Sequence, residues 1–334
     1  MKQIRVALIG AGYIGHYHAR ALRELEGVEV AWVCDKKEET AAKFADEYEI
    51  PEFGTIALSL IKRKDIDAVV LGVPNRYHAD YAKVFLGSGM DAFIEKPMAI
   101  SAAEAKTITI ASEASERLVM VGHMWRFDEE VNHVRDLVRS GRIGRVVKTR
   151  GYGVHENWGP SGWFLQKYFA GGGALADMGV HAIDTVRYVL GDPKPTQVYA
   201  KIATFYGDYD VDDTGIIVIT WDNGVTSVVE SGWWHPHVDG PEAATRIWGT
   251  EGYASIFPTT IKLRDKQKIR QVMPTFPARQ EHCDQRMYTR QMAHFIECVR
   301  TRTQPVPGAA EGQVVVEIVD AAYESARTGK AVSL

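Results

Sequence analysis

Along the first third of the chain, short apolar runs at 4–9, 28–34, 68–73, 91–95 and 118–122 alternate with segments whose apolar residues recur at helical spacing, 14–25, 37–48, 76–88 and 101–115. Buried-strand runs separated by amphipathic helices predict a parallel, doubly wound α/β sheet. The pattern then changes. A helix is expected at 128–139 on Val131, Val134, Leu137 and Val138, ended by Ser140-Gly141, and a β run follows from Val146 to Val154. Gly171-Gly172-Gly173 opens a helix at 174–190, with Leu175, Ile183, Val186 and Val189 as its buried positions. From 196 to 274 the runs QVYAKIATF, GIIVITW, TSVVESGWW, ATRIWG and YASIF are separated by turns such as Asp222-Asn223-Gly224, which predicts an antiparallel sheet. Helices at 284–301 and 309–328 complete an α+β second half. Two domains are expected, 1–123 and 124–334, with the last helix a candidate to pack back on the first.

The first strand runs directly into Gly10-x-Gly12-x-x-Gly15, followed by a helical pattern (Ile14, His18, Ala21, Leu22, Leu25). Three glycines at this spacing between strand and helix fit a dinucleotide's pyrophosphate. The first permits a tight turn, the second lets backbone approach phosphate, and the third lets helix pack on strand. Tyr13 and Ile14 lie inside that turn. About twenty residues on, the second strand ends in Asp35, whose carboxylate suits both ribose hydroxyls and repels a 2′-phosphate. This favours NAD over NADP, although Lys36 and Lys37 offer a phosphate partner. Together these features predict a Rossmann domain.

Ligands of such sheets sit outside the carboxyl ends of the strands. Val73, Pro74, Asn75 and His78 at and beyond the end of the third long run, and Glu95 and Lys96 at the end of the fourth, therefore join the cofactor-binding candidates. Pro97 biases Lys96 toward extended geometry, pointing it off the strand end.

The totals narrow the class. The 334 residues suit two domains, and a net charge of −4 with 25% charged residues leaves no basic face for nucleic acid. No signal peptide precedes the first strand and no run approaches the ~20 apolar residues of a membrane span, so a cytoplasmic location is expected. Cys34, Cys283 and Cys298 form neither a disulfide framework nor a zinc pattern.

Candidate chemistry in the second half gathers around the loop His155 to Trp163 and the helix after the glycine run. There Asp177 and His181, four residues apart, share a face, with Asp184 and Tyr188 extending the stripe. By themselves they are a local helix-face pair. Trp125, Trp158, Trp163, Trp233 and Trp234 suit the apolar side of a sugar ring, and Arg126, Tyr152, His155, Asn157 and His235 suit its hydroxyls. Substrate-binding candidates are Lys96, Trp125, Arg126, Tyr152, His155, Trp163, Asp177 and His181. His235, His237 and His155 also raise a metal reading, but no third ligand is set by spacing, and no metal is expected.

Taken together, GAGYIG (10–15), Asp35, VPNRYH (73–78), EKP (95–97) and GGGALADMGVHAID (171–184) resemble the family of glucose-fructose oxidoreductase, inositol dehydrogenase and the rhizopine-catabolism dehydrogenases. The pieces occur in the family's order across most of the chain. The resemblance implies a Rossmann domain followed by an open-faced, mainly antiparallel sheet, an active site between them, and homo-oligomers, dimer or tetramer, formed through the sheet. It maps the family's catalytic lysine, aspartate and histidine onto Lys96, Asp177 and His181. The implied activity is hydride transfer between nicotinamide and a ring secondary alcohol of a sugar, anhydrosugar, glycoside or inositol. The alternatives are an NAD-dependent glycosidase that oxidises its substrate transiently, or a dinucleotide-sensing regulator. A lysine titrates near ~10.4 and a general base works best at roughly 7–8, so either Lys96 or His181 is open as the principal base. Where relatives often carry Trp-Arg before the glycine run, this chain has Trp163-Phe164, and Arg126 becomes the candidate to supply that contact.

Overall fold

The computed structural model describes residues 3–238, 240–266, 268–277 and 284–334. Cys283, named above, lies outside them. In chain order the first elements are β1 (Ile4–Ile9), α1 (Tyr13–Arg23), β2 (Val28–Cys34), α2 (Glu38–Tyr48), β3 (Glu52–Gly54), β4 (Ala68–Leu71), α3 (His78–Gly87), β5 (Asp91–Ile94), α4 (Ala102–Ser115) and β6 (Val119–Val121). There follow α5 (Glu129–Arg139), β7 (Val146–Glu156), α6 (Lys167–Ala170), α7 (Val180–Val189), β8 (Pro195–Ala203), β9 (Thr214–Trp221), β10 (Thr226–His235), β11 (Ala243–Gly249), β12 (Gly252–Ile256), β13 (Thr260–Asp265) and β14 (Lys268–Val272). The chain closes with α8 (Gln285–Thr301), α9 (Ala309–Thr328) and β15 (Val332–Ser333).

Six parallel strands in the order β3-β2-β1-β4-β5-β6 make the first sheet. This is the doubly wound order of dinucleotide-binding domains, with its switch point between β1 and β4. β3, absent from the apolar runs of the sequence, is three residues long and carries little apolar signal. Along β1, Val6, Ala7, Leu8 and Ile9 are all buried, as a strand covered on both faces requires.

The second sheet has nine strands in the order β14-β13-β12-β11-β7-β10-β9-β8-β15. It is antiparallel apart from the β7–β10 pair, which runs parallel at its centre. Its faces differ. Ile217, Ile219 and Trp221 of β9 are buried with Ile183 and Val186 of α7 and Ile318 and Ala322 of α9, whereas Ile216 points to the open face, 52% exposed. Period-two alternation thus gives one helix-covered and one open face.

The chain divides into two compact units, Met1–Met124 with Arg279–Gln313, and Trp125–Ala278 with Val314–Leu334. This differs from the contiguous division at 123. The helix that returns to the first unit is α8, where the sequence pointed to the last one. The reason is aromatic: Tyr288 of α8 packs on Tyr17 of α1 at 4.8 Å, and Phe295 meets Phe93 of β5 at 5.8 Å. The last helix, α9, begins in the first unit and gives most of its length to the second, where Val315, Ile318, Val319, Ala321 and Ala322 join the core.

Candidate active site

In the first unit the glycine turn is built for close backbone approach. Gly10 has φ +106°, and a Cβ there would stand 2.3 Å from the Gly72 carbonyl oxygen that follows β4. A Cβ on Gly15 would lie 2.6 Å from the Gly10 carbonyl oxygen, whereas Gly12 faces open space. Gly12 is also the cap position of α1, and no side chain caps that helix. A helix start without a side-chain cap is in keeping with a pyrophosphate at a helix N-terminus. Tyr13 is exposed beside the turn and touches Tyr17 through their hydroxyls at 3.1 Å. Asp35 is tied back to the turn: its Oδ2 accepts from the Ala11 amide at 3.3 Å and its Oδ1 from the Lys37 amide at 3.0 Å. A half-buried carboxylate so placed suits ribose hydroxyls. These residues fit a dinucleotide.

Lys96 follows β5 on a turn held from two sides. Its amide donates to its neighbour Glu95 at Oε2, 3.2 Å, and Glu95 Oε1 is paired with His18 Nε2 of α1 at 2.7 Å. His18 is fully buried, edge-on to Phe93 and Tyr288. The helix of the glycine turn is thereby fastened to the residue before Lys96. His18 appeared in the sequence only as one position on an apolar helix face; a histidine at such a position was the available signal.

His78 was a cofactor-binding candidate, and the structure gives both its nitrogens to the protein. Nδ1 meets the Pro97 carbonyl at 2.9 Å and Nε2 the Val73 carbonyl at 2.9 Å, with the ring fully buried. Burial pushes the imidazole below its ordinary pKa, against the pull of the two carbonyls. His78 therefore joins the ends of β4 and β5 and has no nitrogen left for a cofactor. Asn75 is buried beside it, while Val73 and Pro74 are half-buried at the end of β4.

In the second unit, Asp177 sits on a turn that differs from the plain helix expected at 174–190, and His181 lies just beyond it at the start of α7. Leu175–Gly179 is π-helical, and α7 starts only at Val180. Gly179 packs so tightly that a Cβ would lie 2.6 Å from Leu175 Cδ1 and 3.2 Å from Ser231 Cβ of β10. Such wide turns recur at functional sites. Asp177 Oδ2 accepts from the indole Nε1 of the buried Trp233 at 3.1 Å. The Trp125 ring lies 4.9 Å from that of His181, inclined by 32°, and Phe257 backs Trp125 edge-on at 5.4 Å. Both candidate catalytic side chains are thus oriented by tryptophan.

Two other candidates, Arg126 and Tyr152, are placed differently from expectation. Arg126 is buried, and its guanidinium is engaged by carboxylates: Nε and Nη2 bind Asp184, with Nη2 at 2.7 Å from both Asp184 and Asp192. It holds α7 in place and is not available to substrate. Tyr152 lies on the wrong face of the sheet. Its neighbours Gly151 and Gly153 face Val186 and Met178, so alternation turns Tyr152 toward the open face. There it lines a depression of about 550 Å³ with Arg246, Trp248 and Tyr253. Trp163 stacks on Phe164 at 3.9 Å in the short turn Gly162–Leu165. His155 is buried, stacks on Trp158 at 3.5 Å, and pairs through Nδ1 with Glu242 at 3.3 Å. His235 pairs with Thr214 at 3.2 Å.

Residues 4–123 match a family described as an oxidoreductase family with an NAD-binding Rossmann fold, and residues 131–255 match the GFO/IDH/MocA C-terminal domain. The chain is 27% identical to a scyllo-inositol 2-dehydrogenase (NAD(+)) of Bacillus subtilis, over 99% of this chain and 96% of the relative. It is 30% identical to a D-xylose 1-dehydrogenase (NADP(+)) of Haloferax volcanii, over 92% of each. A solved structure of levoglucosan dehydrogenase in complex with NADH shares the fold, with a TM-score of 0.89, 24% identity, and coverage of 99% of this chain and 98% of the other. With both halves matched in order and relatives aligned along nearly the whole length, the chain belongs to the GFO/IDH/MocA oxidoreductase family.

Proposed function

We propose that this protein is an NAD(H)-dependent dehydrogenase acting on a ring secondary alcohol of a sugar, anhydrosugar, glycoside or inositol. The observation that carries the reading is the π-turn. It carries Asp177, one carboxylate oxygen of which accepts from Trp233, and leads directly into the start of α7, where the His181 imidazole is flanked by Trp125. NAD, bound through Gly10, Gly12, Gly15 and Asp35, supplies the hydride acceptor or donor when present. His181 takes or relays the hydroxyl proton as the carbonyl forms. Lys96 holds the reacting oxygen and shares its charge, and Asp177 orients substrate and histidine. The flat face of Trp125 suits the apolar side of a ring. Asp35 supports NAD over NADP, and the names of the inositol, xylose and levoglucosan dehydrogenases support the substrate class.

A panel of inositols, aldoses, anhydrosugars and glycosides with NAD⁺ tests this. Steady NADH formation is expected for at least one, falling by about 10²–10⁴-fold in His181→Ala and Lys96→Ala. Near wild-type turnover in both variants would sink the assignment of roles; sugar release without NADH would point to a glycosidase, and binding without turnover to a sensor. The exposed Ile216 and Tyr199 on the open sheet face support a homo-oligomer, dimer or tetramer, which light scattering would measure. Among the described residues no helix is long and apolar enough to cross a membrane. We place the enzyme in the cytoplasm, to be checked by cell fractionation.

A further inference from the structure

The segment bearing Asp177 and His181 begins in three glycines and has no capping side chain of its own. Helical starts leave amide donors that need acceptors. Here they converge on Asp212, in the loop ahead of β9. The Gly173 amide donates to its Oδ1 at 2.8 Å, the Leu175 amide to its Oδ2 at 2.8 Å, and the Ala174 amide to its carbonyl oxygen at 2.8 Å. The Tyr323 hydroxyl of α9 donates to the same Oδ1 at 2.6 Å. Asp212 is only 6% exposed.

This contact explains the glycines. A Cβ on Gly173 would stand 1.8 Å from the Asp212 carbonyl oxygen, and one on Gly172 would stand 2.0 Å from the Tyr323 hydroxyl. Asp177 is then held from two directions. Its amide donates to the Gly173 carbonyl at 3.0 Å, and its carboxylate accepts from Trp233, whose own amide donates to the Asp213 carbonyl at 2.9 Å. The dipeptide Asp212-Asp213 is therefore linked to both ends of the aspartate, Asp212 through Gly173 and Asp213 through Trp233.

We propose that Asp212, clamped by Tyr323, is a positioning residue that sets the start of the π-turn and so the direction of Asp177 and His181. The proposal rests on the function given above. Misplacing reacting groups by about 1 Å lowers rates by roughly 10²-fold. Asp212→Asn keeps one acceptor oxygen and turns the other into a donor facing an amide. Tyr323→Phe keeps the ring on Gly172 and removes only the hydroxyl.

Both variants are to be measured in the full-length protein. On a sugar that the wild type oxidises, kcat at saturation should fall by roughly 100-fold in Asp212→Asn and about 10-fold in Tyr323→Phe. The Kd for NADH should stay within about twofold, because its candidate ligands lie in the other unit. A clamp with a merely structural role would lower the folded fraction and leave kcat per folded molecule unchanged. That result, or wild-type kcat in Tyr323→Phe, overturns the proposal, and Tyr323→Phe decides the matter if Asp212→Asn does not fold. If the wild type oxidises no sugar in the panel, the proposed function fails by itself. Hydrogen exchange on peptides spanning 173–181 then still tests the clamp: faster exchange in Tyr323→Phe is expected, and unchanged protection overturns it.

Discussion

Replacing Arg126 by leucine should destabilise the second unit by about 3–5 kcal/mol and leave the sugar KM of the folded enzyme unchanged. The Arg126 and Asp184 side chains are 1% and 2% exposed. Burial alone would lower the arginine's pKa, yet Asp184 and then Asp192 more than offset it and hold the guanidinium charged. Leucine leaves Asp184 as a buried carboxylate without that cation, the situation in which breaking a buried pair is most damaging. Asp192 is less affected, being a quarter exposed and still 3.2 Å from Arg187 Nη1. For a unit of this size each kcal/mol moves Tm by about 2–4 °C, so a fall of roughly 6–20 °C is expected by calorimetry at constant pH and salt. The double variant Arg126→Leu with Asp184→Leu should recover most of the loss, since removing both charges of a buried pair is near neutral. A Tm within about 2 °C of wild type, together with a raised KM, would refute the structural role and return Arg126 to the substrate.

Gly10→Ala should abolish NADH binding in fluorescence titration, because the new methyl would collide with the Gly72 carbonyl at a φ that favours glycine; retained affinity would show that the turn yields. Asp35→Ser should weaken NADH and improve NADPH binding, shifting the ratio of their Kd values by roughly 10–100-fold; an unchanged ratio would remove Asp35 from cofactor choice. Burial of His78 lowers its folded pKa beneath the unfolded value of 6.5, so the unfolded chain holds the extra proton as pH falls through that value. Stability should therefore decline below pH 6.5, by at most ~1.4 kcal/mol per unit from this group, and His78→Gln should flatten that part of the urea-unfolding profile; an identical slope in the variant would contradict the linkage.

What the chain determined by itself is what local periodicity and turn chemistry encode. Strand and helix spacing is enough for the parallel sheet, and the three glycines with Asp35 have the spacing that suits a dinucleotide. The run from Gly171 to Asp184 carries the aspartate and histidine proposed above to react. The boundaries of helices followed from the same rules, except at Leu175–Gly179, where the chain forms a π-turn, with Gly179 close against Ser231, that a 3.6-residue period does not foresee. Tertiary structure decided the rest, because it depends on which distant groups meet. Arg126 is a plausible sugar ligand until Asp184, 58 residues away, takes its guanidinium. Tyr152 faces substrate or open sheet according to a single step of strand register, and the glycines on either side of it reveal which only when Val186 and Met178 are seen against them. Asp212 carries no motif, and Tyr323 lies 111 residues beyond it. Their meeting over the glycine run is a property of packing, since a buried donor or acceptor is satisfied by whatever the fold brings within reach.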